Sequence, residues 1–298
     1  MTAVADSFDL CRRVARSRAR NFYYSFALLP REQRDALCAV YAFMRRADDI
    51  SDDLSASIEQ RRAALNAWRA ALTRALAGDA GDDPILPAFA ATAKRYEIPS
   101  EYFFDLIRGV ESDLEPQRYE TFDQLYLYCY RVASVVGMTL VHVFGFDDRR
   151  ALGLAEKCGV GFQLTNILRD IPEDAAMGRV YLPEQDLRRF GLSSEMLLEN
   201  RGGRRPEHPG FARMMAFEWE RAQGCYREAA PLLGMVRAGS RPALWAMIAI
   251  YHGILRRIRR VEYDVYRRRP RLSAAEKSWI VLRAAWASRL GGSPPFPA

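Results

Sequence analysis

The sequence is poor in the residues that most often build metal and nucleophile sites. It has only three histidines and five cysteines in 298 residues, all dispersed, and it contains no Cys-x-x-Cys pair. Scattered cysteines are typical of reduced thiols rather than of a disulfide framework or a zinc site. A histidine-based metal centre or a Ser-His-Asp hydrolase is therefore disfavoured, unless distant residues converge in space.

Long hydrophobic runs are also missing. The longest nearly apolar stretch, residues 132–146, contains His142 and two glycines and is shorter than the about 20 residues that span a bilayer. The first ten residues include Asp6 and Asp9 and lack the apolar segment of a secretory signal. Apolar residues still make up 49% of the chain, which excludes a disordered protein. We therefore expect a soluble, cytoplasmic protein without a transmembrane anchor.

The chain carries an excess of positive charge. The net charge is +7, and arginines concentrate at residues 201–205 and 256–271. A basic surface attracts nucleic acid, anionic lipid or polyphosphate ligands. No nucleic-acid motif accompanies the charge, so a solvated face explains it better than nucleic-acid binding. Peripheral contact with a membrane surface is a further reading of the same residues.

Helical spacing dominates, and strand signals are scarce. Residues 121–124 and 273–276 have the pattern of capping boxes. The predicted helices span 7–25, 32–53, 57–77, 84–96, 100–113, 121–144, 148–171, 184–190, 208–234, 239–266 and 273–290. No long linker divides the chain, so the prediction is one all-α domain over residues 1–290. A loose tail is expected at residues 291–298.

The first acidic cluster lies at residues 45–53, which read Arg-Arg-Ala-Asp-Asp-Ile-Ser-Asp-Asp. Asp48 continues a helical stripe of apolar residues that includes Met44, so its carboxylate points towards the interior. A charge there is costly without a partner. Two carboxylate pairs have i, i+4 spacing, and they are Asp48 with Asp52 and Asp49 with Asp53. On a helix, the members of each pair face the same way.

The second acidic cluster lies at residues 166–174, which read Asn-Ile-Leu-Arg-Asp-Ile-Pro-Glu-Asp. One helix face carries four side chains with hard oxygen atoms: Gln163, Asn166, Asp170 and Asp174. Such ligands suit Mg²⁺, or Mn²⁺ in its place. Pro172 is expected to kink or end the helix. Arg169 and Arg179 are candidates for binding phosphate.

The two clusters together predict a phosphate-binding metal site. Carboxylates one turn apart repel each other unless a cation or a proton lies between them. Mg²⁺ commonly binds one or two carboxylates and completes its coordination with water and substrate phosphate. Aromatic residues precede the first cluster at 22–26 and recur at 126–130. Aromatic faces near a metal–diphosphate site stabilise a carbocation without reacting with it, although packing explains any single aromatic residue equally well.

These motifs resemble the squalene/phytoene synthases, the head-to-head trans-prenyltransferases, over about residues 15–285. The resemblance is carried by Tyr-Ser-Phe at 24–26, Tyr-Ala-Phe-Met-Arg at 41–45, the acidic run at 48–53, Tyr-Leu-Tyr-Cys-Tyr-Arg-Val-Ala at 126–133, Gln-Leu-Thr-Asn-Ile-Leu-Arg-Asp at 163–170 with Glu173 and Asp174, and Gly-Arg-Val-Tyr-Leu-Pro at 178–183. It implies an isoprenoid-synthase helical bundle around a deep apolar cavity. Asn21 departs from the pattern, because some relatives have a serine near the phosphate there.

The resemblance also implies roles for individual residues. Mg²⁺ would be held at a set of oxygen ligands comprising Asp48, Asp49, Asp52, Asp53, Asn166, Asp170 and Asp174. Substrate would contact Arg45, Gln163, Asn166, Arg169, Tyr251 and Arg268, with Phe22, Phe26 and Tyr41 as aromatic lining. Tyr128 would handle a proton or contact diphosphate, which makes it a catalytic candidate together with Asp48, Asp52, Asp170 and Asp174.

The implied reaction condenses two prenyl diphosphates at their C1 ends through a cyclopropyl diphosphate. Farnesyl diphosphate, leading to presqualene diphosphate or squalene, is the first expectation, with NADPH needed only for squalene. Geranylgeranyl diphosphate, leading to phytoene, is the alternative. A head-to-tail prenyltransferase or terpene cyclase would also use Asp-rich helices, but the 166–183 pattern argues against both. A non-catalytic relative acting in assembly would be expected to lack the aspartates, and all four are present.

Overall fold

The computed structural model describes residues 3–19, 22–115, 117–199, 205–290, 292 and 295–297. Within this part of the chain the regular structure is helical, and only an isolated bridge between Phe146 and Val236 pairs extended backbone. The predicted all-α fold is confirmed.

Fifteen α-helices follow one another along the described residues. They are α1 (Ala3–Arg18), α2 (Tyr23–Phe26), α3 (Arg31–Ser51), α4 (Ile58–Leu76), α5 (Leu86–Arg95), α6 (Ser100–Ser112), α7 (Phe122–Cys129), α8 (Val135–Phe144), α9 (Arg150–Ala176), α10 (Glu184–Arg189), α11 (Ser194–Glu199), α12 (Pro209–Ala229), α13 (Leu232–Met235), α14 (Arg241–Arg260) and α15 (Ala274–Arg289). A π-helical segment (Tyr130–Ser134) joins α7 to α8, and a 3₁₀ turn (Ala238–Ser240) precedes α14.

Several helix boundaries differ from the prediction. The first helix ends at Arg18 rather than at residue 25, and α2 follows it separately. Residues 208–234 form two helices, and α14 ends at Arg260 before Glu262 and Tyr263, which adopt positive φ angles of 53° and 63°. Helix α11 was not predicted at all. Apart from α11, these differences lie at helix ends, where short-range sequence signals are weakest.

Pro172 was expected to kink or end its helix, and the helix does not end there. Helix α9 continues through it to Ala176. A proline removes one backbone hydrogen bond, here the one to the carbonyl of Leu168. Ile171 and Ala175 on either side are buried, so packing compensates for the lost bond and keeps the second acidic cluster on one helix.

The chain from Phe122 to Phe144 is apolar and unusually close to its neighbours. These 23 residues are long and apolar enough to cross a membrane, but half of the most apolar stretch is buried inside the protein. A Cβ on Gly137 would lie 2.9 Å from the carbonyl oxygen of Ala155, and one on Gly159 would lie 2.6 Å from Cα of Ser134. Helix α9 therefore packs backbone to backbone against this segment, which acts as a core helix.

Caps and termini complete the fold. Ser273 forms the predicted capping box with Glu276. Thr121 caps α7 through the backbone N–H of Gln124, but the side chain of Gln124 accepts from Glu120 instead of Thr121. Part of the tail predicted to be loose lies outside the described residues. Of the remainder, Pro295 accepts a hydrogen bond of 2.8 Å from the indole of Trp245.

Candidate active site

A cavity of about 250 Å³ lies between α3, α8, α9 and α14. Most of its wall is apolar, including Leu140, Leu244 and Met247. Its charged and amide lining comes from Arg45 and Asp48 near the C-terminal end of α3 and from Gln163 and Asn166 in the middle of α9. Arg45 and Asp48 of the first acidic cluster and Asn166 of the second thus line a mostly apolar cavity.

The two acidic clusters converge on a third carboxylate, Asp113, at the end of α6. The guanidinium of Arg179 lies 3.8 Å from Oδ1 of Asp52 in the first cluster. Its Nη2 donates to the backbone carbonyl of Asp113 at 2.9 Å, and its backbone N–H donates to the carbonyl of Asp174 at 2.8 Å. One arginine therefore contacts both clusters and the residue between them.

Burial and mutual repulsion perturb one carboxyl group in each cluster. Burial, together with the carboxylates of Asp52 and Asp113, raises the pKa of Asp48 to about 7 against the attraction of Arg45. Burial, together with the carboxylates of Asp170 and Asp113, raises the pKa of Asp174 to about 8 against the attraction of Arg179. Asp113 raises the pKa of a carboxyl group in each cluster, so the two clusters are electrostatically connected.

Asp170 is held by arginines instead. Arg169 forms a fork on it, with Nε donating to Oδ1 at 2.7 Å and Nη2 donating to Oδ2 at 2.5 Å. Arg269 donates to Oδ1 from the other side at 2.7 Å and lies 3.4 Å from Glu173. Arg268, which the family resemblance implied as a substrate contact, is exposed, as is Arg269. The neighbouring Arg269 is the residue that the fold brings to the second cluster.

The outer pair of the first cluster lies on the surface. Asp49 is ion-paired with Arg45 and is partly exposed. Asp53 accepts hydrogen bonds from the backbone N–H and the hydroxyl of Ser55, and these bonds lower the pKa of its carboxyl. The structure thus separates this pair from Asp48, which lines the cavity.

Aromatic rings form one wall of the cavity next to the polar end. Tyr251 stacks on Phe162 with ring centroids 4.2 Å apart, and Phe22 lies 5.2 Å from Tyr251. Tyr41 also lines the cavity. Phe26 does not line this wall, because it is buried in the hydrophobic core beside Tyr23. Asn21 lies outside the described residues.

Tyr128 belongs to a buried aromatic group beneath Asp113. Its hydroxyl donates to Oδ2 of Asp113 at 2.9 Å, and the hydroxyl of Tyr181 donates to Oδ1 at 2.9 Å. The rings of Tyr128 and Tyr181 stack with centroids 4.9 Å apart, and Tyr119 packs beside them. Burial and the carboxylate raise the pKa of Tyr128, so its hydroxyl holds its proton firmly.

The donor set fits a divalent cation that is shared with a ligand. Oδ1 of Asn166 is buried without a hydrogen-bond partner, and the nearby Asp48 and Asp174 carry raised pKa values that a cation would lower. Among the described residues, no three histidine, cysteine, aspartate or glutamate side chains are grouped to hold a metal ion by themselves. That agrees with Mg²⁺, which takes one or two carboxylates and fills its other positions with water and phosphate.

Sequence reasoning missed four residues of this site: Asp113, Phe162, Tyr181 as a partner of Asp113, and Arg269. Asp113 follows Glu111 and Ser112 at a helix end, with no spacing that sets it apart. Tyr181 lies inside the Gly-Arg-Val-Tyr-Leu-Pro motif, which was its one available signal. Tertiary packing, not local pattern, brings Phe162 to the cavity and Asp113, Tyr181 and Arg269 to their partners around the acidic clusters.

Comparison with known proteins agrees with this geometry. A family model for squalene/phytoene synthase matches residues 15–276. The phytoene synthase of Mycobacterium tuberculosis is 35% identical over 301 residues, covering 100% of this chain and 97% of that protein. The 15-cis-phytoene synthase of Synechococcus elongatus is 33% identical, covering 90% of this chain and 89% of that protein.

Solved structures lead to the same family. A dehydrosqualene synthase in complex with a ligand superposes with a TM-score of 0.85 at 28% identity, over 97% of this chain and 98% of that one. A squalene synthase from Alicyclobacillus acidocaldarius gives 0.78 at 31% identity, over 88% of this chain and 99% of that one. The predicted isoprenoid-synthase fold is therefore confirmed. The chain belongs to the squalene/phytoene synthase family and is a transferase of prenyl groups.

Proposed function

We propose that this protein condenses two prenyl diphosphates head to head through a cyclopropyl diphosphate intermediate. Two observations carry the proposal. Arg179 connects the two acidic clusters and Asp113, and Asp48 of the first cluster and Asn166 of the second line an apolar, aromatic-walled cavity. Diphosphate groups fit the polar end, and prenyl chains fit the apolar end.

The arginines at the polar end would bind and orient the diphosphates. Arg45 lines the cavity, and its buried Nε has no hydrogen-bond partner. Arg169 and Arg179 are largely buried, so their charges act in a medium of low polarity. Fixed charges of this kind stabilise a departing diphosphate and are usually the largest contribution to catalysis. Mg²⁺ held by Asp48, Asp52, Asn166, Asp170 and Asp174 would add Lewis-acid neutralisation of the same leaving group.

The cavity wall would protect the allylic cation that remains. Phe22, Phe162 and Tyr251 present ring faces, which attract a cation but form no stable bond with it. The apolar surroundings exclude water that would otherwise capture the cation. The second double bond is then the available nucleophile, and loss of a proton closes the cyclopropane. We propose that Tyr128 positions Asp113, which accepts a hydrogen bond from the Tyr128 hydroxyl, as the acceptor of this proton.

Farnesyl diphosphate is the first candidate substrate. The structure that superposes with a TM-score of 0.85 is a dehydrosqualene synthase, which is named for a squalene-type product. Geranylgeranyl diphosphate is the second candidate, because the relatives at 33–35% identity over nearly the whole chain are named phytoene synthases. Phytoene forms by proton loss and needs no NADPH.

Product analysis tests the proposal. Purified protein would be incubated with each diphosphate and Mg²⁺, with and without NADPH, and the products identified by mass spectrometry. We expect presqualene diphosphate or a C30 hydrocarbon from farnesyl diphosphate. Exclusive formation of phytoene from geranylgeranyl diphosphate would replace the first candidate with the second. A head-to-tail or cyclised product would contradict the proposed reaction, and no turnover of either substrate would support the assembly role instead.

A further inference from the structure

Helix α15 carries a stripe of large apolar side chains on the outside of the protein. Trp279, Leu282, Trp286 and Leu290 are 67%, 61%, 67% and 73% exposed. Their spacing of three or four residues places them on one helix face. Five large apolar side chains are exposed elsewhere among the described residues, and of these only Leu54 and Ile58 are close in sequence; the five are Val4, Leu54, Ile58, Leu127 and Met177. A contiguous exposed patch of this kind marks a contact surface.

The opposite face of α15 is already packed. Ala284 is buried, and Ile280 and Val281 pack against the core. Glu276 caps the helix and pairs with Arg257 of α14. Helix α15 therefore has two apolar faces. One packs against the protein, and the other, the exposed stripe, is directed towards solvent.

Positive charge borders this outer stripe. Arg283 and Arg289 lie on its two edges by helical position. The acidic side chain of α15, Glu276, is engaged with Arg257 and the helix N-terminus. Tryptophan and leucine on one face with arginine at its edges are the composition of helices that lie in the interface of an anionic membrane. The indole ring favours the headgroup level, where its apolar body and N–H are both satisfied.

We propose that the outer face of α15 docks onto the surface of an anionic lipid bilayer. A second copy of the chain fits this face less well. An isologous contact would bring Arg283 and Arg289 of both copies together without acidic partners on the stripe. Four side chains also fall far short of the about 20–30 residues per partner of a stable protein interface. Lipid phosphates neutralise the arginines and leave the indoles at the depth that suits them.

The contact has a direct relation to the cavity. Helix α15 packs on α14, which carries Tyr251, and on α2, which follows Phe22. Both residues line the cavity. Docking through α15 would therefore place the wall of the cavity, rather than the acidic face of α9, nearest to the bilayer. This inference goes beyond the proposed reaction and does not depend on which diphosphate is used.

Vesicle flotation tests the proposal. Full-length protein without substrate would be mixed with phosphatidylcholine vesicles containing phosphatidylglycerol, or with phosphatidylcholine alone. The test variant is Trp279→Ser/Trp286→Ser, and the matched control is Ile58→Ser, which changes a single exposed apolar residue on α4. We expect wild type and the control to float with anionic vesicles and the double variant to lose about tenfold or more in partitioning, since apolar burial drives the contact. Arg283→Gln/Arg289→Gln should weaken binding only to the anionic vesicles.

Tryptophan fluorescence gives a second measurement on the wild-type protein. Trp68, Trp219 and Trp245 are buried, so a blue shift on vesicle addition would report Trp279 and Trp286. Equal flotation of wild type and double variant, or no flotation of wild type, would overturn the proposal. A wild-type dimer that becomes monomeric in the double variant would overturn it in favour of a second copy. Circular dichroism melting establishes that each variant is folded before its result is read.

Discussion

The two acidic clusters have similar sequences but are held in different ways. The first ends α3, and its side chains range from Asp48 at the cavity to Asp53 on the surface. The second lies inside α9, which continues beyond Asp174. Arginines clamp Asp170 in the second cluster, whereas Asp48 in the first has burial and like charges around it. The position of each cluster along its helix therefore determines how many of its acidic side chains face the interior.

The comparison also shows what the clusters share. Each contributes one carboxyl group whose pKa is raised into the neutral range, Asp48 to about 7 and Asp174 to about 8. Asp113 contributes to both shifts and lies between them. The clusters act as halves of one site because this third carboxylate and Arg179 connect them.

The strongest test of this pairing is removal of one inner carboxylate from each half. We expect Asp48→Asn and Asp170→Asn each to reduce kcat by about 10³-fold, because a charge-stabilising group at the reacting end is lost. Steady-state product formation with saturating Mg²⁺ measures the effect. Asp53→Asn is the matched control, since that side chain caps a turn, and it should retain most activity. Near-wild-type turnover of either inner variant would break the assignment.

A smaller effect should distinguish Arg269 from Arg268. Arg269→Gln removes a charged hydrogen bond to Asp170, and such bonds contribute about 1.5–3 kcal/mol. We expect KM for the diphosphate to rise by about tenfold or more and, because the same bond stabilises the fold, the melting temperature to fall by a few degrees. Arg268→Gln, in an exposed neighbour, should change KM little. The reverse result would restore Arg268 as the diphosphate contact that the sequence pattern indicated.

The variant Asp113→Asn tests whether Asp113 couples the two acidic clusters. It removes one negative charge that raises the pKa of both Asp48 and Asp174. We expect both pKa values to fall and kcat to drop several-fold, because Asn offers Tyr128 and Tyr181 a single carbonyl acceptor. NMR titration of labelled carboxyl groups in metal-free protein follows the shifts. A change at Asp48 alone would show that Asp113 belongs to the first half only.

The smallest expected effect is on stability as a function of pH. Between the usual pKa near 4 and the raised values of about 7 and 8, the folded protein binds protons that the unfolded chain has released. The free energy of unfolding of metal-free protein should therefore fall as pH rises through this window and level off above it. Chemical denaturation at several pH values with EDTA measures this contribution. Asp48→Asn/Asp174→Asn should flatten the curve, and an unchanged slope would count against the raised pKa values.

Much of the fold and part of the site followed from sequence. The stripe through Met44 and Asp48 predicted the buried carboxylate, because helical periodicity is local. The family resemblance implied Arg268, whereas Arg269 is the residue that contacts Asp170; both follow the end of α14 at Arg260, where helical periodicity does not indicate which side chain faces the site. Asp113 was missed because its partners, Tyr128 and Tyr181, are 15 and 68 residues away. Long-range packing of this kind has no signature in one sequence.

The close glycine contacts of α9 have a consequence for changing selectivity. A side chain at Gly159 would strike the backbone of Ser134, and one at Gly137 would approach a carbonyl of Ala155. This boundary of the cavity can neither move outwards nor accept bulk without shifting whole helices. Engineering for longer or shorter isoprenoids should therefore leave the glycines fixed and vary Leu244 and Met247, which reach the cavity from α14. Gly137 and Gly159 belong to the rigid wall of the cavity, and α14 provides the wall whose side chains can be varied.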